Sequence, residues 1–222
     1  MRVMAVVHRL GALSLVFGVA CRAVPLAAAP ACPVSAATIT LDASAAEPAI
    51  DNSLTQPALQ ALAGGAHHQG RTQGLYRAEF ALRSRVDFAR TGQGDSACVW
   101  IEKLALEIAI VERKIYVVRK RRPGSCAYES VLAHERKHQA VDDELLREET
   151  SLIRRGLEEA LAALPPASPV PRAEEDAARA RLAAAVKTAL ARVLKTLDAE
   201  RKVRQAAIDT PQEYRRVAAA CG

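Results

Sequence analysis

The clearest alternation of apolar and polar residues lies in the segment 98–118. Apolar side chains recur at every second position from residue 104 to residue 110, and the segment ends in the β-branched and aromatic run Ile115-Tyr116-Val117-Val118. A period of two predicts β-strands, here with a hairpin turn at Glu112-Arg113. A helix over residues 100–110 also fits the apolar spacing. Weaker signals predict two further strands, at residues 38–41 and 76–89, and a glycine-rich turn at residues 91–95.

The second half of the chain has the composition of long helices. Alanine, leucine and charged residues dominate from Ala127 to Ala163, and no proline interrupts them, so this segment predicts one long helix. The proline-rich segment 165–171 ends it, and a second long helix is predicted from Arg172 to Ile208. Two shorter elements are also predicted, a helix capped by Ser53 that ends at Leu62, and a helix or turn from Thr210-Pro211 to Cys221.

Strands come first in the chain and helices follow. This order predicts an α+β fold in which a small antiparallel sheet precedes a long antiparallel helical hairpin. The chain has 222 residues and half of them are apolar, which is enough for one domain with a hydrophobic core. We expect a single domain over residues 32–222, mainly β over 32–125 and mainly α over 126–222.

The first 31 residues have the features of a signal peptide. Arg2 and Arg9 form a basic segment, and the apolar segment 10–20 that follows is too short to span a bilayer. The small-residue pattern Ala29-Pro30-Ala31 predicts cleavage there. A short membrane anchor and lipidation at Cys21 are the alternatives. The protein is therefore expected to be exported, periplasmic or secreted, and to meet a membrane only through this segment or a lipid anchor.

Export changes the charge balance of the chain. The net charge is +6, and removal of the three arginines of the signal segment would reduce it to +3. The basic run 119–122 is interpreted as the solvated end of a strand. A charge of this size does not predict nucleic acid as a partner.

Export also predicts disulfide bonds. Four cysteines remain without Cys21, and this even number would form two disulfides in an oxidising compartment. Three pairings of Cys32, Cys98, Cys126 and Cys221 are possible. Cys98 and Cys126 are equally distant from the predicted turn at residue 112, which favours Cys98–Cys126 together with Cys32–Cys221.

The segment with the most chemical information is His134-Glu135-Arg136-Lys137-His138, which has the pattern H-E-x-x-H. One helical turn separates the two histidines, so both rings leave the same side of the helix and can occupy two positions of a tetrahedral zinc site. Glu135 is left free to take a proton from a water molecule that the metal activates. We therefore predict a zinc hydrolase with His134 and His138 as ligands and Glu135 as the general base.

The two histidines lie on the apolar stripe of the predicted helix, whereas Glu135 lies off it. The stripe consists of Val131, His134, His138, Val141, Leu145 and Leu152. Buried imidazoles need polar partners, and a metal ion would satisfy both. If the two long helices pair symmetrically about their connection, Glu200 lies opposite His134 and is the predicted third ligand. The other acidic candidates are Asp142, Asp198 and Asp209.

The stretch from Cys126 to His138 resembles the zincin metallopeptidases, and it is similar to small secreted bacterial proteins predicted to be zinc proteases of unassigned substrate. The resemblance covers residues 76–221 and includes the segment 209–214. It implies a zincin-like domain with a Zn²⁺ cofactor, peptide or protein substrates, and the roles given above for the three motif residues. Glu158 follows His138 at a spacing seen in some gluzincins, a zincin subclass, and is a further candidate for the third ligand.

A second interpretation is a non-catalytic exported helical protein. In that case the histidines would bind a metal for stability, or would bind none. The long alanine-rich hairpin suits this role, and so do the charged residues Arg136 and Lys137 inside the motif. A metal assay on the purified protein would separate the two interpretations.

Overall fold

The structure is a computed structural model that describes residues 32–33, 35–64, 72–92 and 94–221. The predicted signal peptide, with its cleavage pattern and Cys21, lies outside the described residues. None of the helices in the described part combines the length and the apolar character that a membrane crossing requires.

The described residues contain five strands, β1 (Thr38–Ala45), β2 (Ala49–Asp51), β3 (Gly74–Thr91), β4 (Ser96–Val117) and β5 (Val170–Pro171). Each of the other four pairs with β4, which is therefore the centre of the sheet. The strands β3 and β5 pair with β4 antiparallel, whereas β1 and β2 pair with it parallel. The predicted antiparallel sheet is thus wrong, and the α+β fold has a mixed sheet.

The predicted hairpin at Glu112-Arg113 is also wrong, because β4 continues through both residues. The alternative prediction of a helix over residues 100–110 is wrong for the same reason, since these residues are part of β4. The hairpin instead joins β3 to β4 at the predicted turn, where Gly92 and Gly94 have positive φ angles of 144° and 67°. Glycine tolerates this backbone conformation, and the segment around residue 112 has no glycine. The parallel strands were missed because side chains alternate with the same period in both strand directions.

Four α-helices lie in the described part of the chain, α1 (Gln56–Leu62), α2 (Cys126–Ala162), α3 (Glu175–Ile208) and α4 (Pro211–Ala219). Side-chain oxygens cap α2 and α4, where Ser125 and Thr210 accept backbone N–H groups of the first turn. Thr55 caps α1 in place of the predicted Ser53, because Ser53 is bonded to the carboxylate of Asp51. The two long helices agree with the prediction, apart from a short 3₁₀ turn that precedes α3.

The hydrophobic core consists of two clusters along β4. In the larger one, alternate residues of β4 from Leu104 to Ile110 pack with Leu145 and Leu157 of α2 and Val186 of α3. The smaller one joins the end of β4 to the start of α2, and its buried members are Ile115, Val117, Tyr128, Val131 and Leu132. The part of α2 that carries the H-E-x-x-H motif therefore runs between two apolar clusters, which fix its position against the sheet.

Two disulfides join the described cysteines, Cys32–Cys98 and Cys126–Cys221. The predicted pairing of Cys98 with Cys126 is wrong because it depended on the hairpin at residue 112. Cys98 lies near the start of β4 and Cys126 lies beyond its end, and the 22 residues of this continuous strand cover about 70 Å of extended chain. Two disulfides are consistent with an exported protein.

Candidate metal centre

Three side chains converge at the middle of α2. His134 and His138 are both buried, and the Nε2 atom of each lies 3.3 Å from the same carboxylate oxygen, Oδ1 of Asp209. Asp209 occupies the corner between α3 and α4. The ligand atoms of the three residues all lie within 4.8 Å of one another. Two imidazole nitrogens and a carboxylate oxygen form the donor set of catalytic zinc sites with three protein ligands, so the chemistry of this group fits a zinc ion.

The predicted third ligand, Glu200, lies elsewhere. Its carboxylate accepts a hydrogen bond from Arg204 at 2.8 Å, one turn away on α3. The helices pair nine residues away from the predicted register, because His138 meets Gln205 and Asp142 meets Arg201. The connection between the helices is not symmetric, since its residues form β5 and the 3₁₀ turn before α3 begins at Glu175.

The other acidic candidates are also distributed over the structure. Asp198 is exposed and bonded to Lys202, and Glu158 is exposed on α2. Asp142 is fully buried, but it is paired with Arg201 and not with the histidines. Only Asp209 among these candidates joins the two histidines in the described part of the chain.

The second nitrogen of each imidazole also has a partner. The Nδ1 atom of His134 lies 3.3 Å from Oε1 of Glu213, and the Nδ1 atom of His138 lies 2.5 Å from Oε1 of Gln205. Glu213 is in the first turn of α4, where Lys137 and Arg216 bind its carboxylate. Partners on the far nitrogen hold a ring in place and direct its other nitrogen towards a metal ion.

Hydrogen bonds keep the carboxyl groups of Asp209 and Glu213 ionised. Burial opposes ionisation of Asp209, but hydrogen bonds from His134, His138 and Tyr214 outweigh it and hold the pKa of Asp209 well below its ordinary value. The hydrogen bonds from Arg216, together with those from Lys137 and His134, likewise hold the pKa of Glu213 well below its ordinary value. Burial is the largest single effect and lowers the pKa of both imidazoles, but the hydrogen bond to Asp209, the second partner of each ring and the nearby charge of Glu135 together outweigh it and raise the pKa. The centre therefore carries negative charge around two nitrogen donors, which favours a cation.

Glu135 is buried beside the histidines, although the helical pattern placed it off the inward stripe. It faces β3, where Gly74 leaves room for its side chain. A Cβ atom on residue 74 would approach Glu135 Cγ to 2.8 Å and Val131 Cγ1 to 2.6 Å. Burial raises the pKa of Glu135 to about 7, against the opposing effect of the two imidazoles. A carboxyl group with this pKa can both accept and release a proton near neutral pH.

One backbone group of β3 holds the Glu135 carboxylate. The N–H of Val118 donates to the carbonyl of Gln73. In an antiparallel pair the backbone groups of alternate residues point towards the partner strand, so every second residue of β3 counted from Gln73 faces β4. Tyr76 belongs to the alternate set, so its N–H points to the outer edge of the sheet. There it donates a hydrogen bond to Glu135.

Tyr214 lies at the exposed side of the centre. Its hydroxyl donates to Oδ1 of Asp209 at 2.8 Å, and its ring centre lies 5.8 Å from that of His134. Its 45% exposure excludes a place in the core. A role of the hydroxyl in stabilising an oxyanion stays a prediction.

Sequence reasoning missed two residues that contact the imidazoles, Gln205 and Glu213. For Glu213 a signal exists, because Thr210-Pro211-Gln212-Glu213 has the capping-box spacing that starts a helix and so marks a corner in the chain. Gln205 has no comparable signal, since its role depends on the register of two helices. Comparisons with family models, with curated proteins and with solved structures found no match for this chain.

Proposed function

We propose that this chain is an exported zinc-dependent hydrolase that acts on peptides, in the manner of the zincin metallopeptidases it resembles. His134, His138 and Asp209 would hold the zinc ion, and Glu135 would be the general base. One observation carries the proposal. The Nε2 atoms of two buried histidines meet a single carboxylate oxygen, next to a buried acid whose pKa is about 7.

Each residue has a defined task in this proposal. A bound zinc ion would supply Lewis-acid chemistry, which polarises a carbonyl group and makes water easier to deprotonate. Glu135 would accept the proton of the attacking water and deliver it to the leaving amine, a use to which its pKa is suited. Asp209 is one-third exposed and Tyr214 is more so, and a substrate would therefore approach from this side.

The substitution Glu135→Gln tests the proposed mechanism. It keeps the shape of the side chain and its contact with β3 but removes the proton acceptor. We expect the wild-type protein to contain about one zinc ion per chain and to cleave members of a mixed peptide library. The variant should bind zinc equally well and lose turnover by about 10²-fold or more. Equal cleavage by the variant and the wild type would contradict the mechanism.

A structural metal site is the second candidate function. It is favoured by the positions of the ligands, because an ion held by them would join α2 to the corner between α3 and α4. In that case zinc should stabilise the fold of both the wild type and Glu135→Gln equally, and neither protein should cleave any member of the library.

A further inference from the structure

The partner of His138 at its Nδ1 atom points to a residue with a defined role. Gln205, on α3, touches no other ligand of the centre in the contacts that the structure records, yet its Oε1 atom lies 2.5 Å from this nitrogen. We propose that Gln205 is a positioning residue, which holds the hydrogen of His138 on Nδ1 and so presents Nε2 to the metal. This inference rests on the proposed zinc site.

The orientation of the Gln205 amide follows from its two other contacts. Its Nε2 atom lies 3.0 Å from the backbone carbonyl of His138 and 2.8 Å from Oδ1 of Asp142. Both of these are acceptors, so they must face the NH₂ group and not the oxygen of the amide. The oxygen is then the atom that faces the imidazole.

This orientation determines which ring nitrogen of His138 is protonated. An amide oxygen can only accept a hydrogen bond, so Nδ1 must donate one. In the neutral ring the lone pair is then on Nε2, the atom that faces Asp209 and the two other ligands. His134 reaches the same state through a carboxylate, Glu213, and the two rings therefore have different outer partners.

A polar network on four elements holds Gln205 in turn. Asp142 is fully buried and accepts two hydrogen bonds from Arg201, at 2.7 and 2.9 Å, besides the one from Gln205. It accepts a fourth from the hydroxyl of Tyr76, at 3.0 Å, and that hydroxyl accepts one from Arg113. With α2, α3, β3 and β4 all contributing, Asp142 cannot move to release the Gln205 amide without breaking several of these bonds.

Two substitutions at residue 205 separate positioning from a merely structural role. Gln205→Met fills the space but provides no acceptor, whereas Gln205→Glu keeps an oxygen acceptor. Both remove the hydrogen bonds to Asp142 and to the backbone of His138, and Gln205→Glu also places a negative charge next to the buried Asp142 carboxylate. A merely structural role therefore predicts that Gln205→Glu is at least as damaging as Gln205→Met, whereas a positioning role predicts that it binds zinc more tightly than Gln205→Met.

The measurements are the dissociation constant for Zn²⁺, from competition with a chelator, and the proton resonance of His138 Nδ1–H in the zinc-loaded protein. We expect Gln205→Met to weaken zinc binding about 10- to 100-fold and to lose this resonance. Gln205→Glu should keep the resonance and bind zinc within a few-fold of the wild type. Val186→Ala removes buried methyl groups of α3, about 28 Å along the helix from residue 205, and controls for lost stability.

The inference is overturned alone if the wild type binds zinc and Gln205→Glu binds it no more tightly than Gln205→Met, with no His138 Nδ1–H resonance in either variant. It is overturned together with the proposed function if the wild type binds no zinc.

Discussion

A single oxygen atom of Asp209 meets both imidazoles and the hydroxyl of Tyr214. Because this oxygen lies next to the Nε2 atoms of both histidines, the Asp209 carboxylate would be the third ligand of the proposed zinc site. Glu200 is also a carboxylate and lies on α3, nine residues before Asp209, but it is bonded to Arg204. The two acids therefore form a matched pair for testing which one binds the metal.

We expect Asp209→Asn to weaken zinc binding by at least about 10-fold, the lower end of the effect known for outer contacts of metal ligands. Glu200→Gln should leave the affinity unchanged, because it alters only a partly exposed ion pair on α3. Chelator competition on the two purified variants checks this. Equal affinities would remove Asp209 from the ligand set.

Gly74 is a second residue whose identity matters, because it lies against Glu135. Gly74→Ala would insert a methyl group into space that Glu135 and Val131 occupy, so we expect a loss of about 1–3 kcal/mol in the free energy of unfolding. Gly156→Ala is the control, because the new methyl group would lie 3.5 Å from Val193, an ordinary contact, at a helical position inside α2. That substitution should stabilise the protein by up to about 1 kcal/mol. Urea denaturation measures both values, and a Gly74→Ala variant as stable as the wild type or more stable would show that the space beside Glu135 is not tight.

At the scale of elements, the sequence predicted the helices better than the strands. The bounds of α2 and α3 follow from local signals, namely the capping Ser125, the alanine-rich composition and the prolines of the connection. Strand partners depend on contacts between distant residues, and alternation does not encode direction. The predicted antiparallel sheet was therefore wrong in the direction of β1 relative to β4 and lacked β2, although the strand at 38–41 and the turn at 91–95 were predicted.

The candidate site divides in the same way. His134, Glu135 and His138 could be predicted because one helical turn fixes their geometry without reference to the rest of the chain. The identity of the acid beside the histidines depends on the register in which α3 packs along α2. The observed register differs by nine residues from the predicted one, so Asp209 lies beside His134 where Glu200 was predicted. The burial of Glu135 could not be predicted either, because β3 provides it.

The helix α4 is held at both ends, and this bears on the metal centre. Its N-terminal side carries Asp209 and Glu213, while Cys221 beyond its other end is bonded to Cys126 at the start of α2. Ser130 also donates to the carbonyl of Val217, which packs on the smaller apolar cluster. The disulfide Cys32–Cys98 joins other parts of the chain and supplies a natural control.

We expect replacement of Cys126 and Cys221 by serine to weaken zinc binding about 10-fold, because α4 would no longer hold Glu213 firmly against His134. Replacement of Cys32 and Cys98 should leave zinc affinity unchanged, even though loss of either disulfide costs about 2–5 kcal/mol of stability. Affinities are to be measured well below the unfolding temperature of each variant. If both disulfide variants lost zinc affinity equally, the loss would be due to lower overall stability and not to the position of α4.

At the scale of the whole molecule, the proposed zinc ion would join elements that are far apart in sequence. A ligand that binds only the folded state stabilises it by about 2.7 kcal/mol at 100 times its dissociation constant. For a chain of this size we expect zinc to raise the melting temperature of the metal-free protein by roughly 5–11 °C. Calorimetry with and without zinc measures the shift, and His138→Ala should show none. A full shift in that variant would place the ion elsewhere.

The bond between the Tyr76 amide and Glu135 gives this protein a built-in reporter. Outward amides of an edge strand meet water, and their hydrogens are replaced by deuterium quickly. The Tyr76 amide is instead tied to the carboxylate, so its deuterium uptake should be slow while Glu135 stays in place and fast once that side chain leaves. The behaviour of one backbone hydrogen thus records where the acid is, with no need for a substrate.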